Sequence, residues 1–178
     1  MIGRLETVPA LDHPELLATP VLAALTAGRA PSAQVAAINP DLADTAALSA
    51  AYDVPLELSA NCVVVTGRRG GRERHAACVV LATTRADVNN VARRHLDVRK
   101  ATFARQELVT EASGMASGGI TPIGLPGDWP VLVDSAVAAA PLVVVGSGVR
   151  GSKLVLPGAE LAQLPGAVVL DNLGFGIE

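Results

Sequence analysis

Two glycine-rich stretches are the parts of this chain best suited to chemistry. The first runs Ser113-Gly114-Met115-Ala116-Ser117-Gly118-Gly119-Ile120-Thr121-Pro122-Ile123-Gly124, with four glycines and one proline in twelve residues. Glycine lets a ligand reach the backbone, and successive amides in such a turn can converge on an anion or a carbonyl oxygen. Pro122 fixes φ and stiffens the loop. The second stretch, Gly146-Ser147-Gly148-Val149-Arg150-Gly151, follows one strand later. Together the two turns could form one rim of a pocket whose tools are backbone amides and small side chains. Such a rim can stabilise an oxyanion without a protein nucleophile. Glycine pairs also serve as plain connectors, and that reading stands beside the chemical one.

The familiar catalytic sets are thin. His13, His75 and His95 are isolated in sequence and read as surface histidines. There is no G-x-S-x-G elbow, no phosphate loop and no metal-ligand spacing, so neither a metal nor a cofactor is expected. Cys62 and Cys78 have no histidine at a spacing that suggests a nucleophile, and each reads as a buried reduced thiol. Arg68, Arg69, Arg72 and Arg74 make a basic turn, and Arg93, Arg94, Arg99 and Lys100 a second basic region. Either could contact phosphates. Glu73 and Asp97 are interspersed, so a solvated charged turn is the competing reading.

The elements that must position these residues follow from periodicity. Apolar residues from Pro14 to Ala27 recur at helical spacing, with Pro20 dividing them and Gly28 as a C-cap. Gln34–Ile38 reads as a strand. Asp44 is placed to cap a helix over Thr45–Tyr52. The β-branched run Asn61–Thr66 and the run Ala76–Ala82 form a hairpin centred on Gly70-Gly71, which would face Cys62 toward Cys78. Thr84 and Asp87 resemble a capping box for a helix along Val88, Val91, Ala92 and Leu96. Val98–Phe103 returns as a strand, and a short helix through Leu108, Val109 and Ala112 leads into the glycine loop. Strands follow at Val131–Val133, Leu142–Val145, Lys153–Leu156 and Ala167–Leu170, with helical turns at Ser135–Ala139 and Ala159–Leu164. Intermixed strands and short helices with a hairpin indicate an α+β fold around a mixed, largely antiparallel sheet flanked by short helices.

The 178 residues suit one compact unit, read as a helical leader and first strand over 1–43 and a main domain over 44–178. Half the residues are hydrophobic and only 2% aromatic, so the core is built from small aliphatics. A net charge of −3 means that any nucleic-acid contact must come from a local patch. No apolar run approaches the roughly 18 residues that span a bilayer, and the N-terminus lacks a signal-peptide profile. Reduced cysteines without C-x-x-C spacing fit a cytoplasmic protein.

These residues resemble the YbaK-type aminoacyl-tRNA deacylase family, which includes the editing domain of bacterial prolyl-tRNA synthetases. The family's loop, roughly T-G-x-x-x-G-G-x-S-P-x-G, is matched by Ser113-Gly114 through Gly118-Gly119-Ile120-Thr121-Pro122-Ile123-Gly124. The strand ending in Asp is matched by Val131–Asp134, the G-x-x-G turn by Gly148-Val149-Arg150-Gly151, and the stretch before the loop by Asp97–Ala104. The resemblance covers about Asp44 to Val169. It implies hydrolysis of the ester bond of mischarged aminoacyl-tRNA by a free-standing domain. A non-catalytic module of the same fold that binds tRNA, an amino acid or a protein is the alternative. Gly118 and Gly119 match the loop that contacts the aminoacyl group. A functional lysine is implied where this chain has Asn61, and an acidic residue where it has Lys153. Asn61, Gly118 and Gly119 are accordingly the expected catalytic set. Ser113, Gly114, Thr121, Pro122, Asp134, Ser147, Gly148, Arg150, Gly151 and Lys153 are the expected substrate-binding set, and Arg68, Arg69 and Arg72 the expected tRNA contacts. The swap at 61 and 153 raises the idea that Lys153 supplies positive charge from the opposite wall, against the reading of a surface strand residue. The expected partner is tRNA, with a homodimer left open and neither DNA nor membrane expected.

Overall fold

A computed structural model describes residues 2–177. The β-branched run forms β3 (Ala60–Arg69), and β4 (Arg72–Leu81) returns beside it through the two-residue turn Gly70-Gly71. Both glycines have positive φ, 58° and 77°, as a tight hairpin turn requires. The ladder is longer than its apolar runs and takes in the arginines at its tip. Its register pairs Cys62 with Val79 and Val63 with Cys78. The two cysteines are therefore one residue out of register and point to opposite faces, which corrects the expectation that they face each other.

The other elements in chain order are β1 (Val8–Pro9), α1 (Thr19–Thr26), β2 (Gln34–Ala37), α2 (Thr45–Tyr52), β5 (Thr84–Ala86), α3 (Arg93–Leu96), β6 (Ala101–Phe103) and α4 (Gln106–Ser113). They continue with β7 (Val131–Asp134), α5 (Ser135–Ala139), β8 (Val143–Gly146), β9 (Ser152–Leu156), α6 (Gly158–Leu161), β10 (Ala167–Leu170) and β11 (Gly174–Gly176). One sheet is antiparallel with order β1-β2-β9-β8. The second has order β10-β7-β4-β3-β6, with β7 parallel to both β4 and β10. A ribbon pairs β11 with β5. The fold is thus α+β and mixed, as the pattern of elements indicates, but divided into two main sheets.

One local expectation changes and another is refined. Thr84 caps nothing: it lies in β5 and donates to the Leu81 carbonyl. The cap is Asp87, which accepts from the Asn90 amide and opens a π-helical turn, Val88–Ala92, ahead of α3. The leader forms two short helical segments, as the proline suggests, with no kink at Pro20 itself. Pro20 sits in the first turn of α1, where its missing N–H costs nothing, after a separate 3₁₀ turn at Pro14–Leu16.

The largest core lies between the two sheets. Val79, Val131 and Val133 from one meet Val35, Val143, Val145, Leu154 and Leu156 from the other, and Val21 and Leu25 of α1 close its end. Opposite faces carry two smaller cores. One holds Val65, Cys78, Val80 and Leu132 under Leu96 and Val98, and the other holds Ala36, Val144 and Val155 under Leu48 and Val54. The segment around α1 also braces the glycine stretches. Ala18 donates its amide to the Ser147 carbonyl (3.2 Å), and Ser152 donates its hydroxyl to the Leu16 carbonyl (2.5 Å). Gly124 lies so close to Pro20 that a Cβ would come within 2.4 Å of its carbonyl oxygen.

Candidate active site

The two sheets touch at one bridge, Ser59 to Val144, and then part. On the outer edge of β3, β6 pairs only with Val65–Gly67. Asn61, Cys62 and Val63 are left without a strand on that side, and a cavity of about 470 Å³ opens there. Its walls are the start of β3, the end of β8, Lys153 of β9, the first turn of α2, Gln106 of α4, and the glycine loop. The size falls in the range of small-molecule sites.

The two glycine stretches lock together as one rim. Ala116 donates to the Gly148 carbonyl (2.9 Å) and Gly148 donates to the Gly119 carbonyl (2.7 Å). The Gly119 amide donates back to the Ala116 carbonyl (2.9 Å) and closes a turn with Ser117 and Gly118 at its centre. Gly118 has φ +83°, which a side chain would strain. The central amides of such a turn point away from it. Among the described residues the amides of Ser117 and Gly118 have no acceptor, and both residues line the cavity. Gly119 differs from the sequence-based expectation. Its amide is used inside the loop and it does not line the cavity. It is glycine because Val149 packs against it, and a Cβ would sit 2.6 Å from the Val149 carbonyl oxygen.

The cavity carries three charged groups, Lys153, Arg150 and Asp44. Lys153 is 8% exposed and makes no ion pair among the described residues. Burial holds its ammonium below the usual lysine pKa, Arg150 pushes the same way, and Asp44 opposes both. It is not a surface strand residue. Arg150 reaches over the rim and donates to the Ser117 carbonyl (3.1 Å). Asp44 occupies the N-cap of α2, but its side chain makes no capping hydrogen bond, so the expected cap is absent and the carboxylate remains available to a ligand. Asn61 is oriented by Thr45, whose hydroxyl donates to the Asn61 Oδ1 (2.8 Å). That leaves the Asn61 amide hydrogens to donate. Cys62 is half-buried and lines the cavity, and desolvation raises its thiol above the ordinary value, which disfavours a resting thiolate.

Of the residues expected from sequence, the structure brings Asn61, Gly118, Arg150 and Lys153 to one cavity. The others sit around or away from it. Ser113 accepts from the Met115 amide and Gly114 caps α4. Thr121 is fully buried with its hydroxyl unpartnered, and Pro122 lies beside Trp129 and Leu125. Asp134 caps α5 through Ala136 (2.9 Å) and accepts from Gly174 (2.8 Å), which ties β11 to β7. Ser147 donates within its own turn, Gly148 joins the two stretches, and Gly151 gives its carbonyl to Ile38. Arg68 and Arg69 pair with Glu73 (3.2 Å) and Asp97 (2.7 Å), while Arg72 makes no ion pair among the described residues. The hairpin tip lies eight residues along β3 from Asn61, roughly 25 Å at strand rise. Sequence reasoning missed Asp44, Thr45 and Gln106 as cavity residues, and it gave Ser117 and Ile120 no role of their own within the glycine rim. The only signal for the first two was a helix start, which reads as capping.

Residues 39–164 match the model of the aminoacyl-tRNA editing domain, and the chain belongs to that family. A crystal structure of a candidate trans-editing enzyme for prolyl-tRNA synthetase is 24% identical, with a TM-score of 0.74 over 89% of this chain and 97% of that one. A hypothetical protein superposes with a TM-score of 0.75 at 20% identity, over 87% of this chain and 99% of the other. A scaffold used for computational epitope grafting gives 0.74 at 22% identity, over 89% and 97%. Family and fold together support an aminoacyl-tRNA deacylase role.

Proposed function

We propose that this chain hydrolyses the ester bond of mischarged aminoacyl-tRNA as a free-standing editing domain. One observation carries the reading: Ser117 and Gly118, whose amides have no acceptor among the described residues, line the same cavity as the buried Lys153, which has no ion pair among them. An ester carbonyl seated against Ser117 and Gly118 would have its developing oxyanion met by both amides, with Lys153 adding positive charge from β9. Asp44 is placed to hold the substrate's α-ammonium. Asn61 donates to the carbonyl side or to the attacking water. Water adds to the carbonyl carbon, the bond to the ribose oxygen breaks, and the water's proton leaves with that oxygen. The products are a free amino acid and tRNA. The walls at Leu48, Ala60, Ile120, Val144 and Val145 favour an apolar side chain.

A non-catalytic tRNA-binding module of the same fold is favoured by one fact. Gly119, an expected donor, spends its amide within the loop. Release of labelled amino acid from a panel of correctly and wrongly charged tRNAs decides between the two. The editing reading requires release from at least one mischarged tRNA, lost in Gly118→Val and Lys153→Met proteins. No release from any member of the panel, with tRNA binding retained, establishes the binding module instead.

A further inference from the structure

The chain has two phenylalanines, and both are at the surface: Phe103 is 63% exposed and Phe175 50%. In a protein with 2% aromatic residues this placement leaves apolar area in water that a core would bury. Both line one groove of about 630 Å³ between β5, β6 and β11. Asn61 and Val63 line this groove and the active-site cavity alike, so the two spaces meet across β3. Arg85 stands opposite Phe175 in the β5–β11 ribbon and shares its face. It is exposed and makes no ion pair among the described residues. Asn89 and Asn90 add exposed amides. The groove's carboxylate, Asp87, is occupied by the Asn90 amide and side chain at 3.0 to 3.4 Å.

We propose that this groove holds the unpaired 3′ end of tRNA, with Phe103 and Phe175 as stacking faces for its bases and Arg85 on its phosphates. The inference rests on the editing reading and adds where the nucleotides go. An aminoacyl group in the cavity must trail a single strand past Asn61. The order along β3 supplies the path: Asn61 at the cavity, Val63 in the groove, Val65 paired with Phe103, and the arginine tip beyond. Two exposed aromatic faces with a cation between cavity and tip are what single-stranded RNA uses, since every base has a π-face.

The test uses the full chain and uncharged acceptor-stem RNA hairpins, one ending in single-stranded CCA and one blunt. Binding of the tailed hairpin should exceed that of the blunt one. Phe103→Ala and Phe175→Ala should each weaken the tailed complex by about five- to a hundredfold, the range of base–aromatic stacking. Phe103→Leu, which keeps apolar area without a π-face, should behave as Phe103→Ala, and Phe103→Trp should restore binding. Arg85→Glu should reduce the tailed affinity and flatten its salt dependence. Equal affinities of all variants for the tailed hairpin overturn the proposal. So does a wild-type dimer that Phe103→Ala dissolves in sedimentation, since the face would then be a self-contact. The readout is independent of the chemistry. A protein that binds the tail through both phenylalanines but releases no amino acid keeps the groove and loses the editing function. An active enzyme whose KM for charged tRNA ignores them keeps the function and loses the groove.

Discussion

Replacing Lys153 by methionine should make the protein more stable and less active at once. Methionine keeps the length of the unbranched chain and removes the charge. The ammonium is 8% exposed, and burial is the largest cause of its lowered pKa, followed by Arg150, with Asp44 only partly offsetting them. Replacing buried ion pairs by apolar groups of like volume is often neutral or stabilising by about 1–4 kcal/mol, and a lone buried ammonium bears the same desolvation cost. The opening of the cavity to water places this site at the low end, about 1–2 kcal/mol. For a chain of this length that is a rise of roughly 2–8 °C in Tm. The sign has a pH signature. The folded pKa lies below the unfolded value near 10.5, so the charged form is disfavoured in the folded state. The penalty is fully present below the folded pKa and vanishes as pH rises to the unfolded one. The Tm gap between Lys153→Met and wild type should therefore be constant near neutral pH and close as pH approaches 10.5. Deacylation should fall by about 100- to 1,000-fold in kcat/KM, the cost of removing one charge-stabilising donor. A variant that is less stable at neutral pH and fully active would refute both the electrostatic reading of the cavity and the role of Lys153 in it.

Other consequences follow from single contacts. Gly119→Ala drives a Cβ into the Val149 backbone and should cost about 1–3 kcal/mol, read as a lowered Tm. Gly118→Ala meets only the movable Arg150 side chain but must hold positive φ, so its loss should be about 1–2 kcal/mol with a larger fall in kcat than its Tm shift suggests. Arg72→Ala should weaken tRNA binding across sequences and reduce the salt slope by about one, whereas Arg69→Ala, whose charge is already paired with Asp97, should have a smaller effect on both, and Asp97 keeps its pair with Arg74 (3.6 Å). Burial holds the Cys78 thiol up at about 12, so a thiol-reactive dye should label it at pH 8 only as fast as the protein unfolds.

Much of the frame was legible because it is local. Gly70-Gly71 announces a two-residue turn, and the β-branched runs beside it announce strands. The cysteine pairing failed by one residue although the turn was placed correctly: a two-residue turn at Gly70-Gly71 sets Arg69 against Arg72 and so Cys62 against Val79, and one step reverses the face. The glycine loop was legible as a site, but the division of labour within it was not. Gly118 and Gly119 are adjacent and chemically identical in sequence. Only the approach of Val149, 30 residues away, shows that one offers an amide and the other makes room. Asp44 and Thr45 were hidden for the same reason, since what joins them to Asn61 is the meeting of α2 with β3. The short strands β1, β5 and β11 carry no alternating pattern: β1 forms on the edge that the longer β2 offers, and β5 and β11 pair only with each other, brought together by the tertiary fold.

The bracing of the glycine stretches by the segment around α1 has a bearing on what can be moved from this protein as a unit. The editing-domain match begins at residue 39, whereas Leu16, Ala18 and Pro20 lie upstream of it. A transplant of residues 39–164 would carry the cavity walls, the buried lysine and both glycine turns, but not the backing that fixes their spacing. In the hands of a protein engineer it would be a site with its keystone left behind. A graft extended upstream to include the Pro14–Leu16 turn and α1 would take the rim and its support together.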